Sequence, residues 1–217
     1  MSLVKTYRVG ALSTNCYVIQ DSATKKMAII DPGGISAALD KTIKDLGSEN
    51  FEYIILTHGH FDHIRKVKRY KDLTNAKVVI NKNELDFIFD KSLNLCHDFG
   101  PKALEPFTAD LVLNDGDIIN LGKTRIKMLH TPGHTKGGAC YICDKYLFTG
   151  DTLMKNTMGR TDLKSANIKE MANSLKRIGE LKENYIIYPG HGDMSSLECE
   201  KKNNPYLRKA LNDSNIY

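Results

Sequence analysis

Short apolar runs separated by polar turns follow one another along the chain, and their period distinguishes strands from helices. Runs rich in strand-forming residues predict strands at 4–9, 15–20, 26–31, 51–56, 76–80, from 111, and at 118–121, 124–129, 139–143, 146–150 and 185–188. Apolar residues that recur every three or four positions predict helices at 35–46, 64–73, 84–89, 168–181 and 195–202. Residues 90–108 show little periodicity and are predicted to form a long loop.

The two halves of the chain share the same order of elements, with strands first and a helix later. This weak internal repetition predicts two mixed sheets packed face to face with helices outside, an α/β/β/α sandwich. No low-complexity segment or Pro/Ser-rich linker divides the sequence, so we expect a single domain over residues 1–217.

Composition restricts the class of protein. The sequence has 41% hydrophobic and 26% charged residues, which is typical of a soluble globular protein, and no apolar run approaches the length of a membrane span. Residues 1–6 lack the apolar core of a signal peptide, so a cytoplasmic location is expected. The net charge of +5 favours anionic small molecules but is too diffuse to predict nucleic-acid binding.

Five cysteines, an odd number, argue against a disulfide framework. Cys140 and Cys143 form a C-x-x-C, but they lie in the strand predicted at 139–143. A spacing of three on a strand sends the two thiols to opposite faces. We therefore expect two buried, small apolar side chains, with a zinc knuckle or a redox pair as the alternative.

The largest cluster of potential metal-binding side chains in the sequence lies directly after the strand predicted at 51–56. Three histidines and one aspartate fall within the six residues from His58 to His63. On extended backbone His58 and His60 point to the same side, and the start of a helix brings His63 near His60. Imidazole and carboxylate together suit zinc, iron or manganese better than calcium or magnesium. The segment predicts a metal site, and the alternative is a solvated histidine-rich loop.

Three later loops offer the same kind of side chain just after a predicted strand. His134, Asp151 and His191 each follow a glycine, which lets a turn present one side chain to a shared centre. The candidate ligands are therefore His58, His60, Asp62, His63, His134, Asp151 and His191. One ion takes about four ligands. Two ions about 3.5–4 Å apart, with a carboxylate between them, would use the whole set.

The ordered motifs of this sequence resemble those of metallo-β-lactamase-fold hydrolases. The motifs are Thr-His-Gly-His-Phe-Asp-His at 57–63, Thr-Pro-Gly-His-Thr at 131–135, Phe-Thr-Gly-Asp-Thr at 148–152 and Pro-Gly-His-Gly at 189–192. Their order and separation match over almost the whole chain. Within that superfamily the sequence looks most like the hydroxyacylglutathione hydrolase (glyoxalase II) branch. The segments that add to this likeness are 15–17, 159–162 and 204–207.

The resemblance implies how the ligands divide between two divalent ions. His58, His60 and His134 would hold one ion, and Asp62, His63 and His191 would hold the other. Asp151 would bridge the two. Zinc is the expected metal, with iron or manganese as alternatives.

The same resemblance implies hydrolysis of a small, anionic thioester such as S-lactoylglutathione. A metal-bridging hydroxide would attack the thioester carbonyl, and Asp62 would orient it besides binding metal. The larger enzymes of this branch have a helical C-terminal region that helps to hold glutathione, and the sequence ends before such a region.

Several polar residues have two interpretations at this point. Arg160 lies nine residues after Asp151, where such enzymes place a basic glutathione contact. We expect Arg160 to bind a substrate carboxylate, and the alternative is a surface arginine that caps a loop. His97 is expected at the surface, with lining of the cleft as the alternative. His130 falls outside the implied ligand set and is expected to pack beside it. Threonines 57, 131 and 149 are either hydrogen-bond partners of ligands or ordinary strand ends.

Other reactions would fit the same motifs. A persulfide dioxygenase would use one iron and consume oxygen. A lactonase or a phosphodiesterase would use the same two ions on another substrate. A non-catalytic metal-binding regulatory or scaffold domain is the alternative outside enzymes, and the complete ligand set argues against it.

Overall fold

The computed structural model describes residues 2–101 and 104–212, and its first six strands form one mixed sheet. In spatial and chain order they are β1 (Leu3–Val9), β2 (Thr14–Gln20), β3 (Met27–Ile30), β4 (Phe51–Ile55), β5 (Lys77–Asn81) and β6 (Leu111–Leu113). Strands β1 to β3 pair antiparallel, and β3 to β6 pair parallel. The parallel part places the carboxyl end of β4 between the carboxyl ends of β3 and β5.

The second half of the chain forms another mixed sheet of six strands and a small separate hairpin. These strands are β7 (Ile118–Leu121), β8 (Thr124–His130), β9 (Ala139–Cys143), β10 (Tyr146–Gly150), β11 (Leu153–Met154), β12 (Thr157–Met158), β13 (Ile186–Pro189) and β14 (Ser195–Ser196). The sheet order is β14-β13-β10-β9-β8-β7, and β11 pairs with β12 in the separate hairpin. Strand β10 is parallel to β13 and antiparallel to β9, which is antiparallel to β8. Strands β8, β10 and β13 therefore end at the same edge of the sheet.

In the part of the chain that the structure describes, six α-helices and two short 3-10 helices connect or cover the strands. The α-helices are α1 (Ala37–Leu46), α2 (Phe61–Ile64), α3 (Val67–Thr74), α4 (Ile168–Gly179), α5 (Leu197–Asn203) and α6 (Pro205–Asn212). The 3-10 helices are Ser48–Asn50 and Lys82–Ile88. Within the described ranges, no helix is both long enough and apolar enough to cross a membrane.

Three apolar layers show how the elements stack. One layer packs the first sheet against α1 and α3, a second fills the space between the sheets, and a third packs the second sheet against α4, α5 and α6. Neighbouring strand residues alternate between layers, as Ile29 and Ile30 do on β3. The predicted α/β/β/α sandwich is confirmed. Cys140 and Cys143 lie buried in different layers, which confirms their opposite orientation.

Helix boundaries differ from the predicted ones where polar residues cap them. The helix predicted at 35–46 begins at Ala37, because the Ser36 side chain accepts a hydrogen bond from the Leu39 N–H at 3.3 Å. The segment predicted as one helix at 64–73 is divided into α2 and α3. At the break, the Lys66 N–H donates to the Pro32 carbonyl at 3.0 Å, outside the helical ladder.

Smaller elements were not predicted, or were predicted as a different type. The helix predicted at 84–89 is the 3-10 helix Lys82–Ile88, and the helix predicted at 195–202 begins at Leu197 after the short strand β14. The hairpin β11–β12 was missed because two-residue strands carry no periodicity. Helix α6 was also missed. The loop at 90–108 is irregular where described, while positions 102–103 lie outside the described residues. So do residues 1 and 213–217, and the single domain over 1–217 stays a prediction.

Candidate metal centre

All seven predicted ligands lie on loops that leave strand ends on one side of the sandwich. The first four follow β4 and extend into α2, while His134, Asp151 and His191 follow β8, β10 and β13. The two sheets are joined at this edge, where the Ala139 N–H donates to the Thr57 carbonyl at 2.9 Å. The common direction of the strands therefore brings distant parts of the chain to one place.

The first group of side chains contains histidines alone. Ligand atoms of His58, His60 and His134 all lie within 4.8 Å of one another, and the three residues are buried. Their Nε2 atoms have no hydrogen-bond partner. Leaving three buried nitrogens unpaired is costly unless a further group binds them. Three converging imidazole nitrogens fit a divalent cation such as zinc.

The second group mixes carboxylate and imidazole. Asp62, His63 and His191 also place ligand atoms within 4.8 Å of one another. Asp62 Oδ2 lies 3.4 Å from His63 Nε2 and 3.2 Å from His191 Nε2. The three ligand atoms therefore face a common point. Carboxylate and imidazole together suit a divalent cation, so this group also fits a metal ion.

Asp151 lies between the two groups. Its Oδ2 is 3.5 Å from His134 Nε2, and its Oδ1 is 3.6 Å from His63 Nε2. Asp151 Oδ1 is buried without a hydrogen-bond partner. One carboxylate thus faces a member of each group, which is the placement expected of a bridging ligand.

Charges in the protein without metal are shared unequally among the ligands. Burial alone would lower the pKa of His63, but the carboxylates of Asp62, Asp151 and Asp31 outweigh burial and raise that pKa to about 10. Burial, together with the neighbouring histidines, lowers the pKa of His58 well below its usual range. The first group therefore presents a neutral, metal-ready imidazole, and in the second group a charged imidazole balances the carboxylates.

Hydrogen bonds to the outer ring nitrogens fix how the histidines face the centre. Nδ1 of His134 is 2.8 Å from the Arg160 carbonyl, and Nδ1 of His191 is 3.2 Å from the Leu12 carbonyl. Because a carbonyl oxygen only accepts, each Nδ1 must carry the hydrogen. In the neutral ring, Nε2 then carries the lone pair that faces the centre.

Asp31 is a functional residue that sequence reasoning missed. It is buried, and its carboxylate accepts from the Thr57 N–H at 2.8 Å and the Thr57 hydroxyl at 2.6 Å. Its Oδ2 also lies 2.9 Å from His63 Nδ1. The residue was interpreted only as the end of a strand before Pro-Gly-Gly. The available signal was a carboxylate at the end of a continuous apolar run, where burial is expected.

The threonines divide into two roles. Since the Thr57 hydroxyl donates to Asp31, it can only accept from His58 Nδ1, which lies 3.1 Å away. Thr57 therefore fixes the tautomer of a predicted ligand. Thr131 instead contacts the Thr152 hydroxyl at 3.1 Å, and Thr149 donates to the Leu153 carbonyl at 2.6 Å. These two belong to the packing around the strand ends. An unpredicted threonine, at position 14, donates to Asp62 Oδ2 at 2.9 Å.

The remaining predicted polar residues lie outside the two groups. His97 is exposed and pairs with Asp98, as expected of a surface residue. His130 Nε2 donates to the Lys136 carbonyl at 3.0 Å and packs beside the His134 loop. Arg160 contributes its carbonyl to His134, while its exposed guanidinium makes two hydrogen bonds of 2.7 and 2.8 Å to Asp162.

We expect Asp31→Asn to weaken metal binding by the Asp62, His63 and His191 group. The asparagine oxygen would still accept from Thr57, so its NH₂ would face His63 Nδ1 and force the hydrogen onto Nε2. Loss of such a partner costs about 10–100-fold in affinity. Competition with a chelator measures the effect. Asp21→Asn is the matched control, because Asp21 is equally buried but binds Thr24 and Thr124. Equal affinities in the two variants would contradict the assignment.

Comparisons with known proteins agree with this geometry. Residues 9–191 match the family model of the metallo-beta-lactamase superfamily. The chain is 32% identical over 203 residues to a Haemophilus influenzae protein named hydroxyacylglutathione hydrolase GloC, covering 92% of this chain and 95% of that protein. It is 31% identical over 194 residues to PksB of Bacillus subtilis, named a probable polyketide biosynthesis zinc-dependent hydrolase, covering 86% and 79%.

Two solved structures show the same fold. The BLEG-1 B3 metallo-beta-lactamase superposes with a TM-score of 0.88 at 31% identity, over 94% of this chain and 99% of that chain. A di-iron-bound form of TTHA1623 superposes with a TM-score of 0.81 at 27% identity, over 93% and 99%.

Proposed function

Because the chain belongs to the metallo-β-lactamase superfamily of metal-dependent hydrolases, we propose that it hydrolyses a small, anionic thioester at a centre of two divalent ions. His58, His60 and His134 would hold one ion, and Asp62, His63 and His191 would hold the other. Asp151 would bridge them. The observation that carries the proposal is that the Asp151 carboxylate faces both ligand groups, while the three Nε2 atoms of the first group and Asp151 Oδ1 are buried without a partner.

The metals and the protein would divide the chemistry between them. When bound, two such ions make water acidic near neutral pH and stabilise negative charge that develops on a carbonyl oxygen or a thiolate. The Asp62 carboxylate is available to accept a hydrogen bond from the attacking water. Burial tends to raise its pKa, but His63 and His191 outweigh burial and hold that pKa below its usual range. Thr14 fixes the carboxylate by donating to Oδ2.

Zinc is the metal we propose, with iron and manganese as alternatives. The donor set of imidazole nitrogens and carboxylates suits all three. PksB is named a probable zinc-dependent hydrolase and TTHA1623 was solved in a di-iron-bound form, and these names support zinc and iron as the first two candidates. We propose a cytoplasmic location, which the free cysteines at 16, 96, 140, 143 and 199 support.

The thioester class is proposed from the likeness to a protein named hydroxyacylglutathione hydrolase. A rate panel tests it on metal-replete protein, with S-lactoylglutathione, other acyl thioesters, a lactone and a phosphodiester. We expect a thioester to have the highest kcat/KM. A lactone or phosphodiester that reacts faster would overturn the thioester proposal. Oxygen uptake with glutathione persulfide would identify a dioxygenase instead.

We propose that the Arg160 guanidinium binds a carboxylate of the substrate. Its present partner, Asp162, forms an exposed ion pair, and such pairs contribute little, about 0–1 kcal/mol. A substrate carboxylate can therefore replace Asp162 without a large cost. In the structure Arg160 pairs with Asp162 in its own loop, as the alternative of a surface arginine expects. The proposal adds that the guanidinium exchanges this partner for the substrate.

Arg160→Ala is expected to raise KM for an anionic thioester by about threefold to tenfold, with kcat nearly unchanged. The carbonyl that holds His134 remains in the variant, so the effect isolates the side chain. Steady-state kinetics measure it, with an uncharged thioester as the comparison substrate. Arg125→Ala, at an exposed position on β8, is the control. An unchanged KM, or the same change with the uncharged substrate, would refute the role.

A further inference from the structure

Glu84 is a completely buried acid in the 3-10 helix Lys82–Ile88, and its carboxylate joins two loops of the metal centre. Its Oε2 accepts from the Gly59 N–H at 2.6 Å, and its Oε1 accepts from the Gly137 N–H at 2.8 Å. Gly59 lies between His58 and His60, and Gly137 lies three residues after His134. One side chain thus binds the main chain between His58 and His60 and, in the other loop, three residues after His134.

Close packing at both glycines shows that these contacts are built into the fold. A Cβ on Gly59 would lie 2.2 Å from Phe87 Cβ and 3.0 Å from Glu84 Oε2. A Cβ on Gly137 would lie 2.7 Å from the Asn83 carbonyl carbon and 2.8 Å from Glu84 Cγ. Any side chain at either position would push the 3-10 helix away from a ligand loop. The packing of the 3-10 helix against both glycines therefore sets the separation of the two loops.

Burying an acid in this space is energetically unfavourable. Burial raises the pKa of Glu84 to about 7, against the opposing effects of the Thr135 side chain and of the two backbone N–H donors. The nearest lysine in the ligand loop, Lys136, pairs at 2.8 Å with Asp86. An apolar side chain of similar size would avoid the desolvation cost but would leave two buried N–H groups unpaired. The requirement met by Glu84 is for two acceptor atoms at a fixed separation.

We infer that Glu84 is a positioning residue that holds the His58–His60 loop and the His134 loop at the separation needed for the first ion. This inference rests on the proposed function, since it concerns one of the two proposed metal sites. Asp62 and His63 lie in α2, where Thr14 and Asp31 bind their side chains, and His191 follows β13. Loss of the carboxylate should therefore affect the two ions unequally.

Glu84→Gln tests the inference with little change in shape. Glutamine has one acceptor oxygen, and its NH₂ would face one of the two N–H donors, so one of the two hydrogen bonds is lost. We expect the affinity for Zn²⁺ at the first group to fall about 10–100-fold, as for other partners of metal ligands. Competition with a chelator measures both ions, and circular dichroism of the metal-free protein tests whether the variant is folded. Glu105→Gln, at an exposed glutamate that pairs with Lys66, is the control.

Two single-site backgrounds assign the loss to one ion. In a His191→Ala background, Glu84→Gln should weaken the ion that remains. In a His134→Ala background, it should leave the remaining affinity unchanged. Gly137→Ala, which pushes on the same contact, should reproduce the selective loss and replaces Glu84→Gln if that variant does not fold.

Three outcomes would overturn the inference. Equal loss in both backgrounds would show a general structural role, and no loss in either would show that the contact is dispensable. In both cases wild-type protein still binds two ions, so the proposed function stands. Wild-type protein that binds no metal would overturn the inference and the proposed function together.

Discussion

His58→Ala is expected to abolish thioester hydrolysis and to remove metal from the centre. His58 belongs to the first ligand group and also contributes to the cluster that contains His63 and Asp151. Its loss would leave the first ion with two imidazoles and the bridging Asp151 carboxylate, one protein ligand fewer than in the wild-type site. Loss of a ligand's hydrogen-bond partner lowers metal affinity by up to about 100-fold. Loss of the ligand itself should lower the affinity for that ion further.

Metal content and hydrolysis are measured together on the same preparation. His97→Ala is the matched control, because His97 is exposed and pairs only with Asp98. His130→Ala is a second control within the same edge of the sandwich, and it removes a histidine that faces the Lys136 carbonyl. Both controls should keep two ions and the wild-type rate. A His58→Ala protein with normal metal content and rate would refute the ligand assignment.

Asp62→Asn is expected to reduce kcat by about 10²–10⁴-fold, the usual contribution of a positioned proton acceptor. The variant keeps the size of the side chain and removes the charge that faces His63 and His191. The first ligand group does not contain Asp62, so its ion should stay bound. The second ion should bind more weakly, because a neutral amide is a poorer ligand than a carboxylate.

Rates at saturating Zn²⁺ separate the two effects of Asp62→Asn. High metal concentration restores occupancy but cannot restore the lost carboxylate, so kcat should remain low. Asp72→Asn, at an exposed position that pairs with Lys68, should behave as wild type. Full recovery of kcat by added metal would show that Asp62 acts as a ligand alone.

The convergence of the seven candidate ligands could be predicted from the sequence because their signals are local. His58, His60 and His63 follow one strand at spacings that suit the change from strand to helix, and α2 begins at Phe61 as that spacing requires. The other ligands each follow a glycine at a strand end. Strand direction then brings them to one edge, and direction follows from the order of elements in each half.

The partners of the ligands could not be predicted, because they depend on contacts between distant segments. Asp31 lies 26 residues before Thr57, and Glu84 lies 53 residues before Gly137. A carboxylate before Pro-Gly-Gly has the local signal of a turn. That signal gave no indication that Asp31 is buried and binds Thr57 and His63. Similarly, the break between α2 and α3 depends on the Pro32 carbonyl, which lies on another loop.

Helix α6 had a local signal that was not used. The Asn204 side chain accepts from the N–H groups of Tyr206 and Leu207 at 3.0 and 3.2 Å, and proline follows it at the first helical position. Asparagine followed by proline is a typical helix start. Asn204 also donates to the carbonyls of Met154 and Thr157, which fixes the hairpin after Asp151. No sequence pattern indicates that second role, because the hairpin is too short to show a period.

The proposed hydrolysis requires two ions held by seven side chains. Titration of metal-free protein with Zn²⁺, while hydrolysis of S-lactoylglutathione is followed, tests it most directly. We expect the rate to rise until two equivalents are bound and to remain constant beyond that point. A rate that reaches its maximum at one equivalent, or that does not depend on metal, would contradict the account.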